Sequence, residues 1–245
     1  MITITMLTKN NQKTLEKVLT SLKDFNEVVL VDTGSSDNTM EIASKFPNVS
    51  IYERPFTSFG KLKNEAASLA KNNWIFSLDS DEELSINLQK ELLSLNLCDN
   101  TVYAFPFINF YNGKKINHSG WQKEKHVRLY NRQNTKFSEA KVHEKIITDQ
   151  LTVLTLKHPI YHTSYLCIED FLRKLQIYSS LFAEQNKDKK KSSFSKAMLH
   201  GFFSFFKSYV IKKGFLGGRE GFLISFYNSQ VAFYKYLKLE EINRL

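Results

Sequence analysis

Short apolar runs alternate with amphipathic stretches from residue 1 to about residue 100. Ile2-Thr3-Ile4-Thr5-Met6-Leu7 reads as a first strand, and Thr8-Lys9-Asn10-Asn11 ends it and caps a helix with Leu15, Val18, Leu19 and Leu22 on one face. Val28-Val29-Leu30-Val31 predicts a second, fully buried strand. Its exit, Asp32-Thr33-Gly34-Ser35-Ser36-Asp37-Asn38-Thr39, combines a glycine for a tight turn with side chains that cap the next helix. A short strand near Val49-Ser50-Ile51-Tyr52, a helix carrying Ala66, Ala67, Leu69 and Ala70, and a strand from Trp74 to Leu78 complete the series. This order predicts an α/β fold with right-handed crossovers, a mostly parallel sheet, and functional groups at the carboxyl ends of its strands.

The texture changes near residue 100. Thr101–Tyr111 is aromatic and β-branched, and Asn112-Gly113 signals a hairpin turn. Val127-Arg128-Leu129-Tyr130 and Val142-His143-Glu144-Lys145-Ile146 read as further strands, which predicts a mixed-sheet extension of the parallel half. Residues 166–186, 194–211 and 222–239 have helical spacing, with a charged run at 186–191 and glycines 214, 217, 218 and 221 as breaks. The predicted organisation is a catalytic domain over residues 1–160 and a C-terminal helical region over 161–245.

A hydrophobic fraction of 42% in 245 residues suffices for a continuous core. The formal charge of +9 favours an anionic partner: a nucleotide sugar, an acidic membrane surface or nucleic acid. No nucleic-acid recognition motif accompanies that charge, so no nucleic acid is expected. Cys98 and Cys167 form no Cys-x-x-Cys motif, which points to a reducing compartment. Signal-peptide features are not seen at the start, and no run of 18 apolar residues occurs. The aromatic helices, with Phe202, Phe203, Phe205 and Phe206 flanked by Lys196, Lys207, Lys212 and Lys213, suit an anionic bilayer surface or internal packing.

Candidate chemistry concentrates in Leu78-Asp79-Ser80-Asp81-Glu82. Residues two apart on an extended segment share a face, so Asp79 and Asp81 are placed to approach one divalent cation. His158 and His162 are four apart, but Pro159 interrupts the helix that a zinc-hydrolase motif needs. The glycines after residue 213 match neither a dinucleotide fingerprint nor a P-loop. A non-enzymatic, metal-stabilised peripheral scaffold is the alternative of a different class.

The chain resembles the family 2 glycosyltransferases, especially the short lipopolysaccharide inner-core enzymes that add a hexose to a heptose. The resemblance runs through Met6 to Asn11, Val31 to Thr39, Phe59-Gly60-Lys61-Leu62-Lys63-Asn64 and Leu78 to Glu82. It continues in Arg128 to Arg132, Val142-His143-Glu144, His158 to His162 and Lys213 to Gly221. It implies a GT-A fold and an inverting transfer, with glucose from UDP-glucose as the donor sugar and a heptose-containing glycolipid as acceptor. The expected setting is the cytoplasm, peripheral on the cytoplasmic face of the inner membrane. Another nucleotide-sugar transferase, with a different glycan or glycolipid acceptor, is the alternative.

The resemblance also assigns roles. Asp81 and Asp79 would hold Mg²⁺ or Mn²⁺ and the donor diphosphate, with Asp79 alternatively on the ribose and Glu82 supporting them or capping a helix. Asp32, Thr8, Asn10 and Lys63 would contact the nucleotide, although the second of two acids common in the family is here Thr33. Glu144 is the expected base, oriented by His143. Trp121, Arg128, Arg132 and His143 are expected acceptor or phosphate contacts, with His143 alternatively near the metal. Trp121 equally suits a core anchor.

Overall fold

A computed structural model describes residues 1–122, 124–139 and 144–244. The chain forms two compact units, Met1–Ile108 with Lys123–Thr163, and Asn109–Gln122 with Ser164–Leu245. The second begins three residues after the boundary read from sequence and takes in a segment, 109–122, that the sequence reading placed in the first.

In chain order the first unit contains β1 (Ile2–Thr8), α1 (Leu15–Thr20), β2 (Val28–Asp32), α2 (Thr39–Ser44), β3 (Val49–Glu53), α3 (Phe59–Leu69) and β4 (Trp74–Asp79). Next come β5 (Glu82–Leu84), α4 (Ile86–Leu93) and β6 (Thr101–Tyr111). The two-residue β7 (Lys114–Lys115), which lies in the second unit, then β8 (Lys125–Asn131), β9 (Thr152–Thr155) and β10 (Ile160–Tyr165) complete the strands of the chain. The main sheet runs β3-β2-β1-β4-β8-β6-β10-β5. β1 to β4 pair in parallel, whereas β8 is antiparallel to both β4 and β6.

Period-two side-chain alternation explains the layers. Ile4, Met6, Val28, Leu30, Phe76 and Leu78 join one core with Leu15, Val18 and Leu19 of α1 and Leu88 and Leu92 of α4. Val29, Val31 and Ile75 point the other way, onto Leu62, Ala66 and Ala67 of α3. Strands covered on both faces lose polar alternation, which is why β2 is apolar from Val28 to Val31. The register sets Thr8 beside Asp32 and Leu7 beside Asp79, so three strand ends bring their polar residues to one edge.

Two local expectations change. Glu82 begins a short strand antiparallel to β10, with His162 opposite it, and the helix cap that was one of its two expected roles falls to Ser85. The strand expected over 142–146 falls partly outside the described residues, and Ile146 makes a single antiparallel bridge to Phe137.

The second unit holds α5 (Ile168–Asn186), α6 (Phe194–Phe206) and α7 (Gly218–Arg244), and α7 packs along both of the others. One π-helical turn, Lys207–Ile211, continues α6, and a 3-10 turn, Gly214–Gly217, leads into α7. Its core is aromatic, with Tyr111, Tyr165, Phe171 and Tyr227 buried together. Asp170 closes the start of α5 by accepting the N–H groups of Leu166 at 2.8 Å and Cys167 at 3.2 Å. Burial pushes its carboxyl up, but these N–H groups, the Cys167 thiol and Arg173 outweigh that and hold it below the ordinary value. A lowered acid stabilises the fold above its unfolded pKa and loses that contribution as pH falls through the folded one. Asp170→Ala is therefore expected to cost about 1 kcal/mol near neutral pH. The cost should shrink in strong acid, as denaturant titrations at the two pH values would show.

Candidate active site

The Asp-Ser-Asp turn after β4 is pinned from below. Asn11 Nδ2 donates to the Ser80 carbonyl at 2.5 Å, and the Thr14 hydroxyl donates to the same oxygen at 3.2 Å. Asn11 also gives its backbone N–H to Thr39 Oγ1, tying the loops after β1 and β2 together. Asn10 does the same one residue earlier, with φ of 51° and its Oδ1 accepting Ser36 N–H at 2.7 Å. Asparagine tolerates that left-handed backbone better than most residues. Asn10 is thereby a loop brace.

Above this turn lies an ion network that joins residues far apart in sequence. Lys63, buried on α3, places Nζ 3.1 Å from Asp79 Oδ1 and 3.1 Å from Glu144 Oε1. Arg128 on β8 reaches Asp79 Oδ2 at 3.0 Å and pairs closely with Glu82 Oε1. Glu82 is 1% exposed and also accepts the Asp79 backbone N–H through Oε2. Burial would push Asp79 up, but Arg128 and Lys63 hold its carboxyl far below the usual carboxylate range. Burial pushes Glu82 up; Arg128 opposes this, while Asp79 and Asp81 add to it. Burial works against the Arg128 charge too, and Asp79 and Glu82 more than compensate.

Asp79 and Asp81 consequently have different surroundings, because the strand ends at Asp79 and the chain turns before Asp81. Both Asp79 oxygens face cations of the protein, Lys63 and Arg128. Asp81 instead has Oδ1 3.5 Å from His162 Nε2, and both side chains are about one quarter exposed. An acid and an imidazole at that separation fit one divalent cation whose remaining positions are filled by phosphate oxygens. No group of three or more His, Cys, Asp or Glu forms a metal cage among the described residues. Sequence reasoning passed over His162 because Pro159 breaks the helical His pair. Its neighbour His158 pairs with Glu91 at 2.8 Å.

Asp32 is buried at the end of β2 and accepts the N–H groups of Gly34 and Ser35 and the Ser35 hydroxyl. Gly34, at φ 98°, is where that tight turn requires a glycine. A cleft of about 310 Å³ opens here, lined by Asp32, Thr33, Gly34, Glu53, Arg54 and Pro55. Thr33 turns its hydroxyl to the Thr8 carbonyl at 3.2 Å. Thr8 Oγ1 is covered, with no hydrogen-bond partner among the described residues.

Two sequence candidates are drawn elsewhere. Arg132 donates to the carbonyls of Ala67 and Ala70, closing the end of α3. Trp121 belongs to the second unit, stacked on Tyr165 at 5.0 Å between centroids, which is the core-anchor arrangement. His143 lies outside the described residues.

Residues 3–149 match the sequence model of glycosyl transferase family 2. The chain belongs to that family. An uncharacterized glycosyltransferase of Rickettsia typhi is 29% identical over 97% of this chain and 86% of its own length. The SPbeta prophage-derived glycosyltransferase SunS of Bacillus subtilis is 31% identical over 46% of this chain and 28% of its own. Among solved structures, S. aureus TarS 1-349 in complex with UDP-GlcNAc superposes with a TM-score of 0.50 at 16% identity. That match covers 99% of this chain and 89% of the other, and it shows a shared fold. Of a longer S. aureus TarS chain, this one spans 45%. The α/β architecture with a mixed sheet and C-terminal helices is thus the GT-A-like fold of family 2 glycosyltransferases, and family membership supports nucleotide-sugar-dependent transfer.

Proposed function

We propose that the first unit moves a hexose from a UDP-sugar onto a hydroxyl of a glycan or glycolipid, with inversion at the anomeric carbon. The observation that carries this is the meeting of Asp81, His162, Asp79 and, through Lys63, Glu144 at the carboxyl ends of the parallel strands. Uridine would occupy the cleft beside Asp32 and Thr33, and the diphosphate would extend toward Asp81. Mg²⁺ or Mn²⁺ held by Asp81 and His162 would neutralise charge gathering on the departing UDP. Glu144 would take the proton of the acceptor hydroxyl as its oxygen bonds to the anomeric carbon and the bond to UDP breaks. Lys63 and Arg128 keep Asp79 ionised and fixed at the base of this site.

A narrower form, glucose delivered to an inner-core heptose at the cytoplasmic face of the inner membrane, rests on the sequence resemblance alone. Both forms are tested by mass-resolved product formation from a panel of UDP-sugars, with truncated heptose-containing lipopolysaccharide and other glycans as acceptors. A single hexose added to any acceptor supports the transfer reading. Addition confined to a non-heptose acceptor removes the narrower one. Asp81→Asn is expected to weaken donor binding in the presence of Mg²⁺ or Mn²⁺ by about tenfold or more. UDP-sugar affinity unchanged by the substitution, with and without chelator, would remove Asp81 from the cation.

A further inference from the structure

The second unit contains a cavity of about 610 Å³ that the transfer reaction does not use. Lys114 and Lys115 line it from the hairpin, and Lys212 and Lys213 from the segment after the π-helical turn. His118 and Glu220 complete its polar wall. Lys114 pairs with Glu220 at 2.7 Å, while Lys115, Lys212 and Lys213 make no ion pair among the described residues. Three lysine charges are therefore unbalanced around one opening.

The walls are built on a buried polar knot. Ser208 Oγ donates to the Ser119 carbonyl at 3.0 Å, Ser225 Oγ to the Gly221 carbonyl at 2.7 Å, and the Ser119 N–H to the Lys212 carbonyl at 2.9 Å. A Cβ at Gly217 would run into the His118 ring, and one at Gly221 into the Gly214 carbonyl. The 3-10 turn, the His118-Ser119 segment and the start of α7 are thus held at close approach, which fixes Lys212 and Lys213 beside the cavity. Solvated lysines on a plain helix face need no such support.

Beside the cavity, Phe194, Met198, Phe202, Phe206 and Val210 recur every fourth position and are all more than 40% exposed. Ile211, Phe215 and Leu216 extend this apolar stripe to the cavity rim, and Leu216 is both a wall residue and 69% exposed. Residues 194–217 contain four lysines and no acidic residue. A two-fold dimer through this face would set lysine against lysine, whereas an anionic bilayer offers apolar depth with phosphate above it.

We propose that this cavity binds the phosphate headgroup of an anionic phospholipid while the adjoining apolar stripe enters the bilayer surface. This rests on the membrane-face part of the reading above and is independent of the transfer chemistry.

The test is flotation of the full chain with vesicles of phosphatidylcholine alone or mixed with phosphatidylglycerol or phosphatidic acid. Binding should require the anionic lipid. Lys115→Ala with Lys212→Ala is expected to weaken it by about tenfold or more, while Lys23→Ala with Lys90→Ala, removing the same charge from the first unit, changes it little. An unchanged helical circular dichroism signal and melting curve, with retained UDP binding, would show that both units of each variant are folded. Equal binding to neutral vesicles, equal loss from both lysine pairs, or self-association without vesicle binding would each overturn the headgroup site. UDP binding and transfer would survive such a failure, and failed transfer would leave the vesicle result standing.

Discussion

Arg128→Met is expected to destabilise the α/β unit by about 3–5 kcal/mol at neutral pH, because it strips the cation from a buried carboxylate. Arg128 pairs with Glu82, which is 1% exposed, and it also holds Asp79. Without it, two carboxylates stand together with one out of reach of water. Glu82 is already raised by burial, against the pull of Arg128, and losing that pull would raise it further. An acid raised in the folded state contributes stability below its unfolded pKa and loses it as pH rises through the folded one. The deficit of Arg128→Met should therefore narrow in acid and widen toward neutral pH. Adding Glu82→Gln should recover much of the loss, since a neutral amide carries no buried charge. Denaturant titrations of the single and double variants with chelator present check this, and strictly additive losses would remove the proposed coupling.

Glu144→Gln is expected to lower the transfer rate by about a hundredfold to ten-thousandfold while leaving UDP-sugar affinity within a few-fold. The amide retains the size of the carboxylate and an oxygen for Lys63, but accepts no proton from the acceptor. If Glu144 acted only as the partner of Lys63, the substitution would instead loosen Lys63 and with it Asp79, so donor affinity and thermal stability would fall together. Donor titration, melting temperature and single-turnover rate on one preparation separate the outcomes. Lys63→Met supplies the contrast, since it should impair all three measurements.

The strand ends carrying Thr8, Asp32 and Asp79 were legible because apolar runs stop there and polar turn residues begin. The parallel register that brings them to one edge follows from alternating strands and helices. Sequence spacing failed at Asp79 and Asp81, where an extended segment was assumed and a turn intervenes. Charge alone marked Arg132, and only the fold brings its guanidinium to the carbonyls at the end of α3.

The amino-acid pattern by itself determined the α/β class, the order of elements, the cluster of polar strand ends and the family. Those properties depend on local periodicity and on residues close together in the chain. Only the tertiary structure decided that Lys63 joins Asp79 to Glu144, that Arg128 joins Asp79 to Glu82, and that His162 meets Asp81. It also decided that glycines 214, 217 and 221 serve close approach around a basic cavity, to serine hydroxyls, the His118 ring and the Gly214 carbonyl respectively. Ion pairs and close approaches depend on distances of a few ångströms between segments up to about a hundred residues apart, and those distances exist only once the sheet register and helix packing are set.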